Sequence, residues 1–560
     1  MEISLLSSTQ KYAASALFAL ALHHSQLHQT RPTTRLLSLE EEPIGEGASN
    51  SSTISVSDFP HLWIHENSGL LLPVFRFMEV EDQAWEGLKE TAGVSTQARH
   101  HVGSFMTLLS ETNDEVSSGI REKELALLKA VDATMLSMES SLVLSEDSDK
   151  NCDYETHCRQ RKLTVLYELL SSCVADYVTD GGSKGYDARH RVALRLLATW
   201  LNVKWTKMEA MEIIVACNLI VRLKNEDAEQ FGKIKNDKWK QAGIIGASAL
   251  TGGSLVALTG AAGAGLAGSR TVIRIEDLDE FEFIQTGLYH NQGRLAVGIL
   301  ISGIAFEEED FLRPWENYND NLERYVLKWE SKNLIALNAG ITEWITSKVA
   351  SNLLQGGAML TVLSTLLAEE PLPAALLAAS DLIDSAWAIA VDRSDKAGKL
   401  LAELLISGLQ GHRPVTLIGF SLGARVILKC LQCLAETQGD NAGLVERVIL
   451  LGAPIPIKDE KWEDARKMVA GRFVNVYHTN DWTLGIIFRA SVLSTGLAGI
   501  QPVQLRGIEN VDATEYVEGH SSYLWMTKEI LRQLDVDNYR LFLGLPSRLN
   551  PCKTKPNKQT

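Results

Sequence analysis

The most constraining stretch is Val415-Thr416-Leu417-Ile418 running into Gly419-Phe420-Ser421-Leu422-Gly423 and on into Ala424-Arg425-Val426-Ile427. A short apolar β-forming run, a G-x-S-x-G pattern and a helix-compatible run to Ala435 predict a strand, a sharp turn and a helix. At such a turn Ser421 is lifted clear of the sheet, and the flanking glycines keep Cβ atoms out of the crowded bend. The following helix aims its first N–H groups and the positive end of its dipole at the serine, where a developing oxyanion would be held. The alternative is an ordinary strand–helix turn whose serine only caps the helix.

From about residue 270 the texture is short apolar runs alternating with helical segments. Arg294–Ser302, Arg324–Trp329, Val415–Ile418, Val448–Leu451, Phe473–Tyr477 and Val503–Leu505 read as strands. Continuous apolar runs separated by helices mark buried parallel strands. The expected fold is therefore α/β: a doubly wound, mostly parallel, α/β-hydrolase-like sheet of at least six strands. The connection between Trp329 and Val415 carries an uncharged run, Val349–Ala368, which suits a buried helix or a lid over an apolar pocket.

A serine hydroxyl is a weak nucleophile until a base takes its proton. In this fold the order along the chain is Ser, then Asp or Glu, then His. Asp481, just past the run Phe473–Tyr477, is the expected acid, with Asp512 as competitor. His520, in Glu518-Gly519-His520-Ser521-Ser522, is the expected base, and no other histidine lies downstream of Asp481. His478 is the runner-up, although it precedes the acid. Asp481 has a plainer reading as a strand or helix terminator, and His520 as a loop residue before a helix at Ser522–Leu531. The oxyanion donors are expected to be the backbone amides of Leu422 and of Ile304, in Ser302-Gly303-Ile304-Ala305-Phe306. Glu307-Glu308-Glu309-Asp310 follows, either as a solvated turn or as a group that disfavours anionic ligands.

At 560 residues the chain exceeds one typical core. Residues 1–235 read as helical, with 31–57 a loop or disordered insert. Residues 236–269 form a Gly/Ala-rich apolar segment, with no charge between Gln241 and Ser269. That run exceeds the about 20 residues that span a bilayer; a span, an interfacial hairpin and a buried segment all remain open. Residues 270–545 form the α/β domain and 546–560 a flexible tail. No glycosylation sequon follows residue 270, which favours a cytosolic catalytic half. A net charge of −16 without a basic cluster argues against nucleic acid. Of seven cysteines, Cys430 and Cys433 form a C-x-x-C without a second pair, which reads as core thiols rather than a metal site. No metal or cofactor is expected.

Several longer motifs fall in one order: Glu308-Glu309-Asp310-Phe311-Leu312-Arg313-Pro314-Trp315, Leu382-Ile383-Asp384-Ser385-Ala386-Trp387, Leu451-Gly452-Ala453-Pro454 and Asn480-Asp481-Trp482-Thr483-Leu484-Gly485. Together with Gly419–Ile427 they resemble the transmembrane and coiled-coil domain-containing protein 4 family, over most of residues 58–530. The resemblance implies an α/β-hydrolase-like domain behind a helical region and an apolar segment, with no implied substrate. The expected function is a membrane-associated serine hydrolase acting on an apolar ester or lipid. The rival is a membrane-associated adaptor or trafficking protein on a hydrolase scaffold, with little or no turnover.

Overall fold

The computed structural model describes residues 5–30, 70–81, 84, 98–110, 118–138, 153–175, 185–230, 278–286, 294–316, 318, 320, 322–346, 374–408, 410–458, 461–485, 496–536 and 547–548. The apolar run Gln241–Ser269, the uncharged run Val349–Ala368 and the insert 31–57 lie outside them. Among the described residues, no helix is long and apolar enough to cross a membrane. The chain divides into two compact units, one built mainly from residues 1–251 and one mainly from 252–560.

The first unit is helical: α1 (Ser8–Thr30), α2 (Leu72–Phe77), α3 (Ala98–Ser110), α4 (Ser118–Met138), α5 (Asp153–Ala175), α6 (Ala188–Trp200) and α7 (Trp205–Gln230). Phe18, Leu166, Leu170, Leu194 and Met211 pack in one core. Asp187 starts α6 by accepting from the Arg189 amide at 2.8 Å. Inside, Arg191 forks onto Glu212 through Nε and Nη2, both at 2.8 Å, so this buried cation has its counter-charge.

The second unit is an α/β structure with one sheet of eight strands in the order β1-β3-β2-β4-β5-β6-β7-β8. They are β1 (Phe281–Thr286), β2 (Val297–Ile301), β3 (Glu323–Trp329), β4 (Val415–Phe420), β5 (Val445–Leu451), β6 (Phe473–Tyr477), β7 (Ile508–Asp512) and the two-residue edge piece β8 (Ser547–Arg548). All neighbours pair in parallel except β1, which runs antiparallel to β3. Three features depart from the sequence reading, the first being that β8 pairs with β7 from within the stretch 546–560 expected to be a flexible tail. The run Val503–Leu505 is not a strand; β7 lies just downstream, where three of five residues are polar and only Ile508 and Val511 are buried, so it made a weaker apolar run. The edge strand β1 was not foreseen, because its Phe281-Glu282-Phe283-Ile284-Gln285-Thr286 pattern is half polar, as a strand with one open side permits.

The strands serve two cores because side chains alternate between faces. Val415 and Leu417 of β4 enter one core, with Val297, Ile299, Ile301, Val448 and Leu450. Ile418 and Phe420 enter the other, with Leu300, Ile449, Leu451 and Val476. Against the first face lie α8 (Ser331–Thr346), α9 (Ala374–Ile406) and α10 (Leu422–Glu436); against the second lies α11 (Tyr523–Gln533). From β2 the chain passes to β3 on one side, and from β4 to β5 on the other. The order therefore reverses between β2 and β4, and a sheet of this kind offers its crevice outside the carboxyl ends of those two strands.

Candidate active site

Ser421 directly follows Phe420, the last residue of β4, with φ 54° and ψ −128°. Positive φ is uncommon for a residue with a Cβ and costs about 1–3 kcal/mol unless the surroundings impose it. Here the Ser421 amide is tied to the Leu451 carbonyl at 2.9 Å, and its own carbonyl accepts from Ala424 at 3.0 Å to begin α10. The serine makes no side-chain cap, so its hydroxyl is not spent on the helix. Close approach of backbone explains the glycines. A Cβ on Gly423 would fall 2.2 Å from the Ile301 carbonyl oxygen, and one on Gly419 would fall 2.8 Å from the Gly423 carbonyl.

Asp481 follows β6 and is fully buried. One carboxylate oxygen accepts from the Leu484 amide at 3.0 Å, so it caps the short turn that begins at Trp482. The other lies 2.6 Å from His520 Nδ1. His520 follows β7 in a 3-10 turn, His520–Ser522, and its Nε2 lies 2.8 Å from Ser421 Oγ. An ionised carboxylate can only accept, so Nδ1–H donates to Asp481 and the Nε2 lone pair faces the Ser421 hydroxyl. Three residues far apart in the chain thus form one hydrogen-bonded series. The turn reading of Asp481 and the series are both present, since its two oxygens serve different partners.

The competing candidates sit elsewhere. Asp512 ends β7 and accepts from the Thr514 amide at 3.0 Å. The His478 ring is buried, and neither ring nitrogen finds a hydrogen-bond partner among the described residues. Burial pushes its imidazole below the ordinary value, against the pull of Asp481.

Ser302-Gly303-Ile304 leaves the end of β2 directly beside the turn. A Cβ on Gly303 would lie 2.3 Å from the Leu422 amide nitrogen. As the first residues of a helix, Leu422 and Gly423 have no intrahelical acceptor. Neither they nor Ile304 donate to another backbone group among the described residues. The segment Glu307–Asp310 is not all solvated. Asp310 is buried and accepts from the Phe306 amide at 2.8 Å, with Arg313 on its other oxygen at 2.6 Å.

Sequence reasoning passed over Tyr523, whose ring meets the His520 ring edge-on with centroids 5.9 Å apart. Burial, with Asp481 and Asp512 nearby, holds its phenol well above the ordinary range, so it stays protonated. Its place three residues after the histidine carries no pattern that would have marked it. No group of three or more His, Cys, Asp or Glu suited to a metal ion occurs among the described residues; Cys430 lies in the core, with Cys433 half-buried beside it.

Comparison with known proteins gives the site a family. Residues 238–537 match the family described as "Protein of unknown function (DUF726)". The "Transmembrane and coiled-coil domain-containing protein STS1" of Oryza sativa subsp. japonica is 47% identical, covering 95% of this chain and 96% of that one. An "Uncharacterized membrane protein" of Caenorhabditis elegans is 30% identical over 66% of each chain. The "Probable lipase MIL1" of Saccharomyces cerevisiae is 32% identical over 57% of this chain and 30% of its own length. No solved structure matches. The chain belongs to the DUF726 family, to which the transmembrane and coiled-coil domain-containing proteins that its motifs resemble are related.

Proposed function

We propose that this protein is a serine hydrolase with an α/β-hydrolase fold, cleaving esters of apolar, lipid-like acyl groups at a membrane surface. The observation that carries the reading is the series Ser421 Oγ–His520 Nε2–His520 Nδ1–Asp481, at 2.8 and 2.6 Å, on a serine held at φ 54°. A helix-capping serine needs neither the strained backbone nor a buried imidazole on its hydroxyl.

The reaction follows from the geometry. Ser421 Oγ attacks the ester carbonyl while His520 Nε2 takes the hydroxyl proton. Asp481 keeps the ring in the tautomer that leaves Nε2 free to accept, and stabilises the imidazolium. The carbonyl oxygen becomes an oxyanion, held by the amides of Leu422 and Ile304 and by the positive end of α10. When the intermediate collapses, the alkoxide leaves with the proton from His520. Water then repeats the sequence on the acyl-enzyme and returns Ser421 with release of the acid. The catalytic residues are Ser421, His520 and Asp481, with backbone donors from Leu422 and Ile304, all inside the proposed 270–545 catalytic domain.

An apolar substrate is supported by the lipase name of the yeast relative, and membrane association by the names of the rice and nematode relatives. Phe306 and Trp525, 43% and 63% exposed, follow the β2 loop and the His520 turn, and aromatic side chains suit a lipid–water boundary. A fluorophosphonate probe on the purified full chain tests the chemistry. Wild type is labelled, Ser421→Ala is not, and His520→Ala is labelled far more slowly. A folded wild type that stays unlabelled overturns the reading and leaves the adaptor on a hydrolase scaffold.

A further inference from the structure

The loop between β2 and the acidic turn has no secondary structure of its own, yet side chains from other elements tie it at both ends. At its start, Trp329 Nε1, from the end of β3, donates to the Ser302 carbonyl at 3.0 Å. The Ser302 hydroxyl accepts from Trp315 Nε1 at 2.9 Å and donates to the Phe311 carbonyl at 3.0 Å, so both of its roles are spent inside the core. At its end, Asn338 Nδ2, from α8, donates to the Ala305 carbonyl at 3.0 Å. Ser302, Trp315, Trp329 and Asn338 are all buried. Ile304 lies between the two ties.

We propose that Trp329 and Asn338 are positioning residues that hold the Ile304 amide toward the Ser421 hydroxyl. The inference rests on the serine hydrolase reading. Gly303 offers no Cβ to bias its backbone, so the Gly303–Ile304 peptide can rotate unless its neighbours are fixed. A rotated peptide would aim a carbonyl oxygen at the developing oxyanion and repel it. Pinning the carbonyls of Ser302 and Ala305 fixes the Ser302–Gly303 plane just before that peptide and the Ala305–Phe306 plane two peptides after it, which narrows the rotations left between them. An oxyanion donor works because it is aimed before the charge develops. Neither side chain needs to touch substrate for this.

The test uses the full-length protein, a short p-nitrophenyl ester and a fluorophosphonate. Asn338→Leu keeps the side-chain volume and removes the donor; Trp329→Phe keeps an aromatic ring and removes the N–H. In each, kcat and the phosphonylation rate per folded molecule fall about 10- to 100-fold, short of the ~10²–10³-fold lost when a donor itself is deleted. KM and the pH midpoint of kcat/KM stay at the wild-type values, because the Ser421–His520–Asp481 series is untouched. A purely structural role would lower the melting temperature and leave the rate per folded molecule alone. If Trp329→Phe fails to fold, Asn338→Leu decides alone. Wild-type rates per folded molecule in Asn338→Leu overturn the inference. An unlabelled wild type overturns the hydrolase reading instead, so the two failures are distinct.

Discussion

Gly303→Ala probes the juncture of β2 and the serine turn most directly. The added Cβ would sit 2.2 Å from the Gly423 nitrogen, 2.3 Å from the Leu422 nitrogen and 2.4 Å from the Phe420 oxygen, all of them backbone. No flexible side chain can yield, so the loop and the start of α10 must part by roughly 1 Å. Misplacement of that size costs on the order of 10²-fold in rate when it moves the reacting geometry. Overpacking a tight contact costs about 1–3 kcal/mol, and contact with three rigid atoms puts this change at the upper end. Both are read on one preparation: phosphonylation by a fluorophosphonate and melting by circular dichroism. Gly519→Ala is the control. It adjoins His520, but its φ of −174° suits any residue and nothing lies within 4 Å of an added Cβ. It should label and melt as wild type does. If Gly303→Ala also labels and melts as wild type does, the two backbones are not in contact, and the account of the oxyanion site fails with that contact.

Three further outcomes follow from the same geometry. Ser421→Gly should melt above Ser421→Ala, both inactive, because glycine accepts the positive φ and relieves about 1 kcal/mol net; equal melting would mean that the turn is unstrained. Asp481→Asn should lower kcat by about 10⁴-fold through the wrong imidazole tautomer while leaving KM nearly unchanged, and near-wild-type turnover in steady-state assays would remove Asp481 from the mechanism. His478 is buried with its imidazole pushed below the ordinary 6.5. As pH falls below 6.5 the unfolded chain takes a proton that the native ring resists, so stability drops toward acid by at most about 1.4 kcal/mol per pH unit. The melting temperature of wild type should therefore fall more steeply from pH 7 to 5 than that of His478→Gln, and parallel curves would refute the assignment.

The residues that meet at the end of β4 were legible in the sequence because a hydrolase triad would impose an order on the chain. Ser421 and Asp481 could be picked by that order together with the strand before each, whereas His520 was picked as the last histidine downstream of Asp481, behind a run, Val503–Leu505, that is not the strand preceding it. The buried strands β2 to β6 announced themselves through runs such as Val297-Gly298-Ile299-Leu300-Ile301, apolar on both faces. Strands with one open side did not. In β7 only Ile508 and Val511 of Ile508-Glu509-Asn510-Val511-Asp512 are apolar and buried, while nearby Val503-Gln504-Leu505 imitated a strand and is irregular. The supports of the β2 loop were illegible for another reason. Trp329 and Asn338 act through single N–H groups on neighbouring elements, and no spacing rule links a tryptophan at a strand end to a carbonyl 27 residues earlier.

The choice between hydrolase and scaffold turns on what the fold tolerates at a cost. A serine at positive φ and a histidine buried against a buried carboxylate each carry a cost. An adaptor would lose nothing if glycine stood at position 421, which accepts the positive φ without strain. Such features arise together when they serve one reaction, because strain and unpaired donors at a site become useful only as the transition state forms. Both converge on one hydroxyl, at the end of β4 where the strand order reverses. That convergence, more than the G-x-S-x-G pattern alone, weighs the reading toward catalysis.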